Sequence, residues 1–207
     1  LAVALTTILF TTLFTIALSM VENFEQSNFR QVGTYAHGVF KQLTKEQFDE
    51  LKDDPLIKEW GLRRVAGLAT NDVFRKSQVE VSYMDENYAK FGFTIPTVGH
   101  LPEEGTDQAA TDLKVLSLLG VEPELGNEFT VTIDVDGTET TETFTLCGYW
   151  EYDDVMVANH VAIAESRLED ILQKCNNQNN NGRTGSYNLN VMFQDASSIE
   201  SVSCAAA

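Results

Sequence analysis

The sequence predicts an α+β fold in which an apolar N-terminal helix leads into one mixed domain. Three observations carry this. Residues 1–20 bear no charge, strand-like alternation recurs near 79–83, 129–146 and 187–193, and capped helical stretches lie between these strands without a strict strand–helix–strand rhythm. The 207 residues, 43% hydrophobic, are enough for a membrane helix plus one modest domain.

The opening stretch LAVALTTILFTTLFTIALSM contains only apolar residues besides Thr6, Thr7, Thr11, Thr12, Thr15 and Ser19. As a helix it would be about 30 Å long, the thickness of a bilayer's hydrocarbon core. Threonine hydroxyls can bond back to the helix's own carbonyls, so they do not forbid a span. A signal peptide and a buried core helix are the alternatives, but the charged leader of a signal peptide is not seen. The expectation is a transmembrane helix over residues 1–20 and an extracytoplasmic domain over 21–207.

In LTKEQFDELKDD, Thr44 is placed as an N-cap with Gln47 three residues on, and Leu43 can staple onto Phe48. DPLIKEWG predicts a second short helix from Pro55 to Gly61, with Leu56, Ile57 and Trp60 turned inward. Val79, Val81 and Tyr83 alternate as a strand. TVGHLPEEGTDQAA, punctuated by Gly99, Pro102 and Gly105, reads as a connection. Leu113, Leu116 and Leu119 then mark a helix ended by Gly120. Phe129, Val131, Ile133 and Val135 alternate up to Asp136-Gly137, and Phe144 and Leu146 alternate after it, predicting a hairpin. Ser166 with Glu169 predicts a capping box opening a helix through Leu168, Ile171 and Leu172. NNQNNNGRTG reads as a polar loop, Tyr187 to Phe193 as a strand, and ASSIE as the start of a helix.

The net charge of −17 argues against a nucleic-acid partner, because phosphate binding needs a basic surface. Cys147, Cys175 and Cys204 form neither a disulfide framework nor a metal spacing, although a Cys147–Cys175 bridge stays open. His37, His100 and His160 are isolated from one another and from zinc-binding spacings. The DVDG of residues 134–137 has the beginning of a calcium loop but lacks the rest, and suits a hairpin turn better. Glu103, Glu104 and Asp107 would attract a cation or remain a solvated acidic loop. Tyr149, Trp150 and Tyr152 would line a partner surface or pack into the core. There is no glycine-rich phosphate loop, so ATP chemistry is not expected in this chain. No catalytic, cofactor-binding or metal-binding residue is singled out.

Taken together, LTTILFTTLFTIALSM, FRQVGTYAHGVFKQLTKEQFDELKDDPLIKEWG and TDLKVLSLLGVEPELGNEFTVTIDVDG followed by FTLCGYWE resemble the permeases of FtsX/MacB-like ABC transporters of Gram-positive anaerobes. The resemblance covers residues 1 to about 200. It departs from the family pattern at Gln108-Ala109-Ala110 and in the terminal SVSCAAA. It implies a first membrane helix followed by a MacB-like extracytoplasmic domain, with porter-like βαβ portions and a smaller inserted lobe. It further implies a non-enzymatic permease subunit of the cell membrane, with residues after about 20 on the extracellular side. Its partners would be a cytoplasmic ABC ATPase that carries the ATP, a second permease copy or permease half, and the lipid bilayer. The role so implied is to couple ATPase-driven helix movement to the outer domain, in export or mechanotransmission. A membrane-anchored binding or sensor module without an ATPase is the alternative, and a secreted hydrolase using dispersed carboxylates is a third class.

Overall fold

A computed structural model describes residues 2–156, 158–175 and 184–195 of the chain. Most of the expected polar loop, the expected ASSIE helix and Cys204 lie outside the described residues. The first element is a single helix, α1 (Ala2–Val32), which runs without a break past the expected boundary at residue 20. The hydroxyls of Thr7, Thr11, Thr12 and Thr15 each donate to the carbonyl four residues back at 2.8–2.9 Å, the back-bonding open to a threonine within a helix. Its large apolar side chains, among them Ile8, Phe10, Phe14 and Leu18, are exposed. Among the described residues no helix is long and apolar enough to cross a membrane. The expected span at residues 1–20 is therefore not supported among the described residues.

Strand β1 (Gly38–Leu43) precedes α2 (Lys45–Lys52). As expected, α2 opens with a capping box: Gln47 N donates to Thr44 Oγ1 at 3.3 Å and Thr44 N to Gln47 Oε1 at 3.0 Å. The short helix expected over 55–61 does not form. Instead a turn leads into β2 (Ile57–Ala69), whose first half pairs antiparallel with β9 (Tyr187–Phe193). Pro55 fits the turn as well as a helix start, and Gly61 meets a spatial need rather than ending a helix. A Cβ at Gly61 would approach the Tyr88 Cα and the Asn87 carbonyl carbon to 2.6 and 2.8 Å, so β2 and α3 (Glu86–Phe91) touch backbone to backbone there.

The other elements are β3 (Val79–Met84), β4 (Val98–Gly99), β5 (Gln108–Asp112), α4 (Leu113–Leu119), β6 (Glu128–Val135), β7 (Thr138–Trp150), β8 (Asn159–Ile163) and α5 (Glu165–Lys174). Gly120 ends α4 in the left-handed conformation, as its position predicts. The hairpin β6–β7 turns on Asp136 (φ 48°) and Gly137 (φ 90°), both in the positive-φ region that such a two-residue turn demands. Helix α5 is not capped by Ser166. Its N-cap is Ala164, and the free backbone amides of Glu165 and Ser166 donate instead to the Glu104 carboxylate, each at 2.9 Å. Against the opposing cost of its burial, the bonds from Ser166 and Glu165 hold the Glu104 carboxyl below its usual range.

Among the described residues all nine strands belong to one mixed sheet, which agrees with the α+β class. The pairing path β2–β3–β8–β5–β7–β6 returns to β2, where Leu68 and Ala69 meet Asp134 and Ile133. The two parallel pairs, β3 with β8 and β5 with β7, join strands that are not consecutive in the chain. Strands β3, β8, β5 and β7 are covered on both faces. One face carries Val79, Val81, Val161, Ile163, Phe144 and Leu146 under α4 and α5. The other carries Met84, Ala110, Cys147 and Ala162 near Ala89 of α3. A separate cluster joins Phe48 and Leu51 of α2 to Leu62, Leu189 and Val191.

Candidate functional site

The helix α1 enters the domain through a packed joint. Gly33 (φ 83°) stops the helix, with its own amide and that of Thr34 both donating to Phe29 O at 2.9 and 3.0 Å. Tyr35 N then donates to Phe91 O at 3.1 Å, and the Tyr35 ring packs edge-on against Phe91, 5.4 Å between centroids, and against Phe93. Arg30 reaches Asp153 at 3.3 Å and lies over the Phe93 ring. Asn190 Nδ2 donates to Thr34 Oγ1 at 3.1 Å, fixing the joint to β9.

Beneath this joint is a cavity of about 350 Å³, roofed by residues 31–34. Its walls come from β2, β3, β8 and β9: Arg63, Glu80, His160 and Asn190, with Met84 and Tyr88 beside them. Register explains the grouping, since Glu80 pairs with His160 and Arg63 with Met84, which places these side chains on the sheet face opposite the larger core. Arg63 Nη1 lies 2.9 Å from Glu80 Oε2, and Gln78 Nε2 donates to Glu80 Oε1 at 2.9 Å. The Arg63 guanidinium also sits over the Tyr88 ring, 5.4 Å from its centroid.

His160 is buried, with Nδ1 3.9 Å from Glu80 Oε2. Burial, reinforced by the Arg63 charge and only partly offset by Glu80, pushes its pKa down to about 4. The imidazole is therefore neutral at pH 7. Stability follows with a definite sign. Above about pH 6.5 neither state binds the proton. As pH falls from about 6.5 to about 4 the unfolded chain takes it and the folded chain does not, so stability is lost across that window, by up to about 3 kcal/mol. Burial raises the pKa of Asp85 and of Asp112, so these carboxyls act in the opposite sense, toward the acid end. His160→Gln is expected to flatten the melting temperature against pH between about 6.5 and 4. An unchanged slope in that series would show that His160 titrates normally.

Of the residues singled out in sequence, only His160 belongs to this cavity. His37 accepts from Phe193 N at 3.2 Å through Nδ1, and His100 is an exposed loop residue. Glu104 caps α5 and Asp107 pairs with Arg167 at 3.1 Å, so both have structural partners. Asp134 Oδ1 accepts from Gly137 N at 2.7 Å within the hairpin turn. No group of His, Cys, Asp and Glu among the described residues could hold a metal ion. Cys147 and Cys175 are both free, so the bridge left open in sequence is not formed; burial raises the Cys147 thiol to about 11. Of the aromatic trio, Trp150 is buried, and the Tyr152 hydroxyl accepts from Lys114 Nζ at 2.7 Å. Arg63 and Glu80 gave no signal in sequence: Glu80 occupies the polar position of an alternating strand, which reads as solvent-facing.

No family model matches the chain, and no curated protein is significantly similar to it. Among solved structures it is similar to the extracellular domain of the noncanonic ABC-type transporter YknZ from Gram-positive bacteria, with 14% identity, 77% of each chain covered and a TM-score of 0.48. It is also similar to the periplasmic region of MacB from Actinobacillus actinomycetemcomitans, with 14% identity, 79% of this chain and 72% of that chain covered and a TM-score of 0.45.

Proposed function

We propose that the chain is the extracytoplasmic part of an ABC transporter permease, in which α1 transmits movement to the outer domain. The observation that supports this most directly is the joint at Gly33–Tyr35: helix and domain are connected by packed rings, backbone bonds and an ion pair rather than by a flexible linker. A displacement of α1 is thereby passed to β9 and α3 instead of being absorbed. In this reading the apolar first 20 residues lie in the membrane, a placement that rests on their sequence and the exposure of their side chains. The domain after them faces the cell exterior. A separate cytoplasmic ATPase binds the ATP, and a second permease copy or half completes the complex.

The test is a pull-down of the full gene product from native membranes, with mass identification of what accompanies it. Recovery of a P-loop ATPase is expected. Recovery of the protein alone after gentle extraction would overturn the transporter reading. It would favour a membrane-anchored binding or sensor module, a second reading that the cavity at the root of α1 recommends.

A further inference from the structure

Buried polarity goes unmet mainly around one cavity. Of the seven buried side-chain polar atoms without a hydrogen-bond partner among the described residues, four belong to residues lining the cavity beneath α1: Arg63 Nε, Glu80 Oε2, His160 Nδ1 and Asn190 Oδ1. Glu80 Oε2 keeps its ion contact with Arg63, without hydrogen-bond alignment. Unmet groups of this kind are costly, and proteins retain them where a site needs them.

We propose that this cavity binds a small zwitterion bearing an apolar side chain, of the size of an α-amino acid or dipeptide. Its volume, about 350 Å³, falls at the lower end of small-molecule sites. Its lining holds fixed charge of both signs: Arg63 in the wall, Lys41 exposed at the mouth, and Glu80 between β2 and β8. A bare anion would face the Glu80 carboxylate in a chain of net charge −17, and a bare cation would face Arg63 and Lys41. A wholly apolar ligand would cover these charges without answering them. Met84, Met156 and Val39 supply a deformable apolar surface for a side chain. A ligand whose carboxylate meets Lys41 and Arg63, and whose ammonium meets Glu80, satisfies all three conditions. This inference rests on the cavity alone and not on the transporter reading.

The test is an NMR titration of the full chain in detergent micelles with L-leucyl-L-leucine, beside its N-acetylated and C-amidated forms. The free dipeptide is expected to bind saturably in the roughly millimolar range or tighter, with shifts at the lining residues, and either cap to weaken it about tenfold. Lys41→Glu, on an exposed position of β1, is expected to weaken it about tenfold as well. No saturable binding, meaning a cavity filled by water only, would overturn the proposal. So would equal binding of the capped forms, or binding indifferent to Lys41→Glu.

Discussion

Valine in place of Gly67 is expected to be among the most damaging single substitutions in the domain, costing about 3 kcal/mol or more and leaving a marginally stable chain largely unfolded. Gly67 lies where the β2–β3 register shifts. A Cβ there would collide with the Asp134 carbonyl oxygen and come within 2.8 Å of Ile133 Cγ2. Asp134 and Ile133 are the β6 residues that pair with Leu68 and Ala69 to return the strand path to β2. Backbone cannot yield as a flexible side-chain tip can, so relief requires parting that seam. Hydrogen exchange would show it as early loss of protection at Leu68 and Ala69, with a lowered denaturation midpoint. A melt indistinguishable from that of the parent chain would mean that β2 and β6 do not meet as placed.

Phe144→Ala is expected to cost about 3 to 5 kcal/mol, the range for emptying a fully buried aromatic site. Phe144 is 1% exposed, its ring lies 5.9 Å from that of Phe129 across the hairpin, and the Arg167 guanidinium covers it at 5.9 Å. Arg167 in turn donates to the buried Glu142 at 2.7 Å, and Lys174 reaches the same carboxylate at 2.6 Å. The lost ring therefore opens a hole under the contact that ties α5 to β7. Urea denaturation reads the cost directly. Phe144→Leu, which refills most of the volume, is expected to restore a large part of it, and a loss below about 1 kcal/mol for alanine would contradict the burial.

Elements whose signal is local were legible in the sequence. Thr44 with Gln47, Gly120, and Asp136-Gly137 act through their own backbone geometry, and each does in the structure what its position predicts. Strands whose identity depends on distant partners were not. NHVAI of β8 is buried at every position and QAATD of β5 at four of five, so the contrast of period two that marks a half-buried strand is missing. The segment after Pro55 carries punctuation that suits a helix, but pairing with β9, some 130 residues on, decides it. Ser166 has the spacing of a cap, yet Glu104 of a remote loop takes that role. The cavity was legible least of all, because four different strands supply its polar wall and only register brings Arg63, Glu80, His160 and Asn190 together.

In the proposed reading, the continuity of α1 makes it a lever. Its 31 residues extend about 46 Å, while the joint at Gly33 and the cavity roof occupy only the last turn. A tilt of roughly 10° about that joint would carry the distal end through roughly 8 Å over such a length. Conversely, a displacement of several ångströms at the far end is geared down to sub-ångström motion where Thr34 meets Asn190. At that scale a change in the width of the cavity, rather than a large rearrangement of the sheet, is the movement the domain would register.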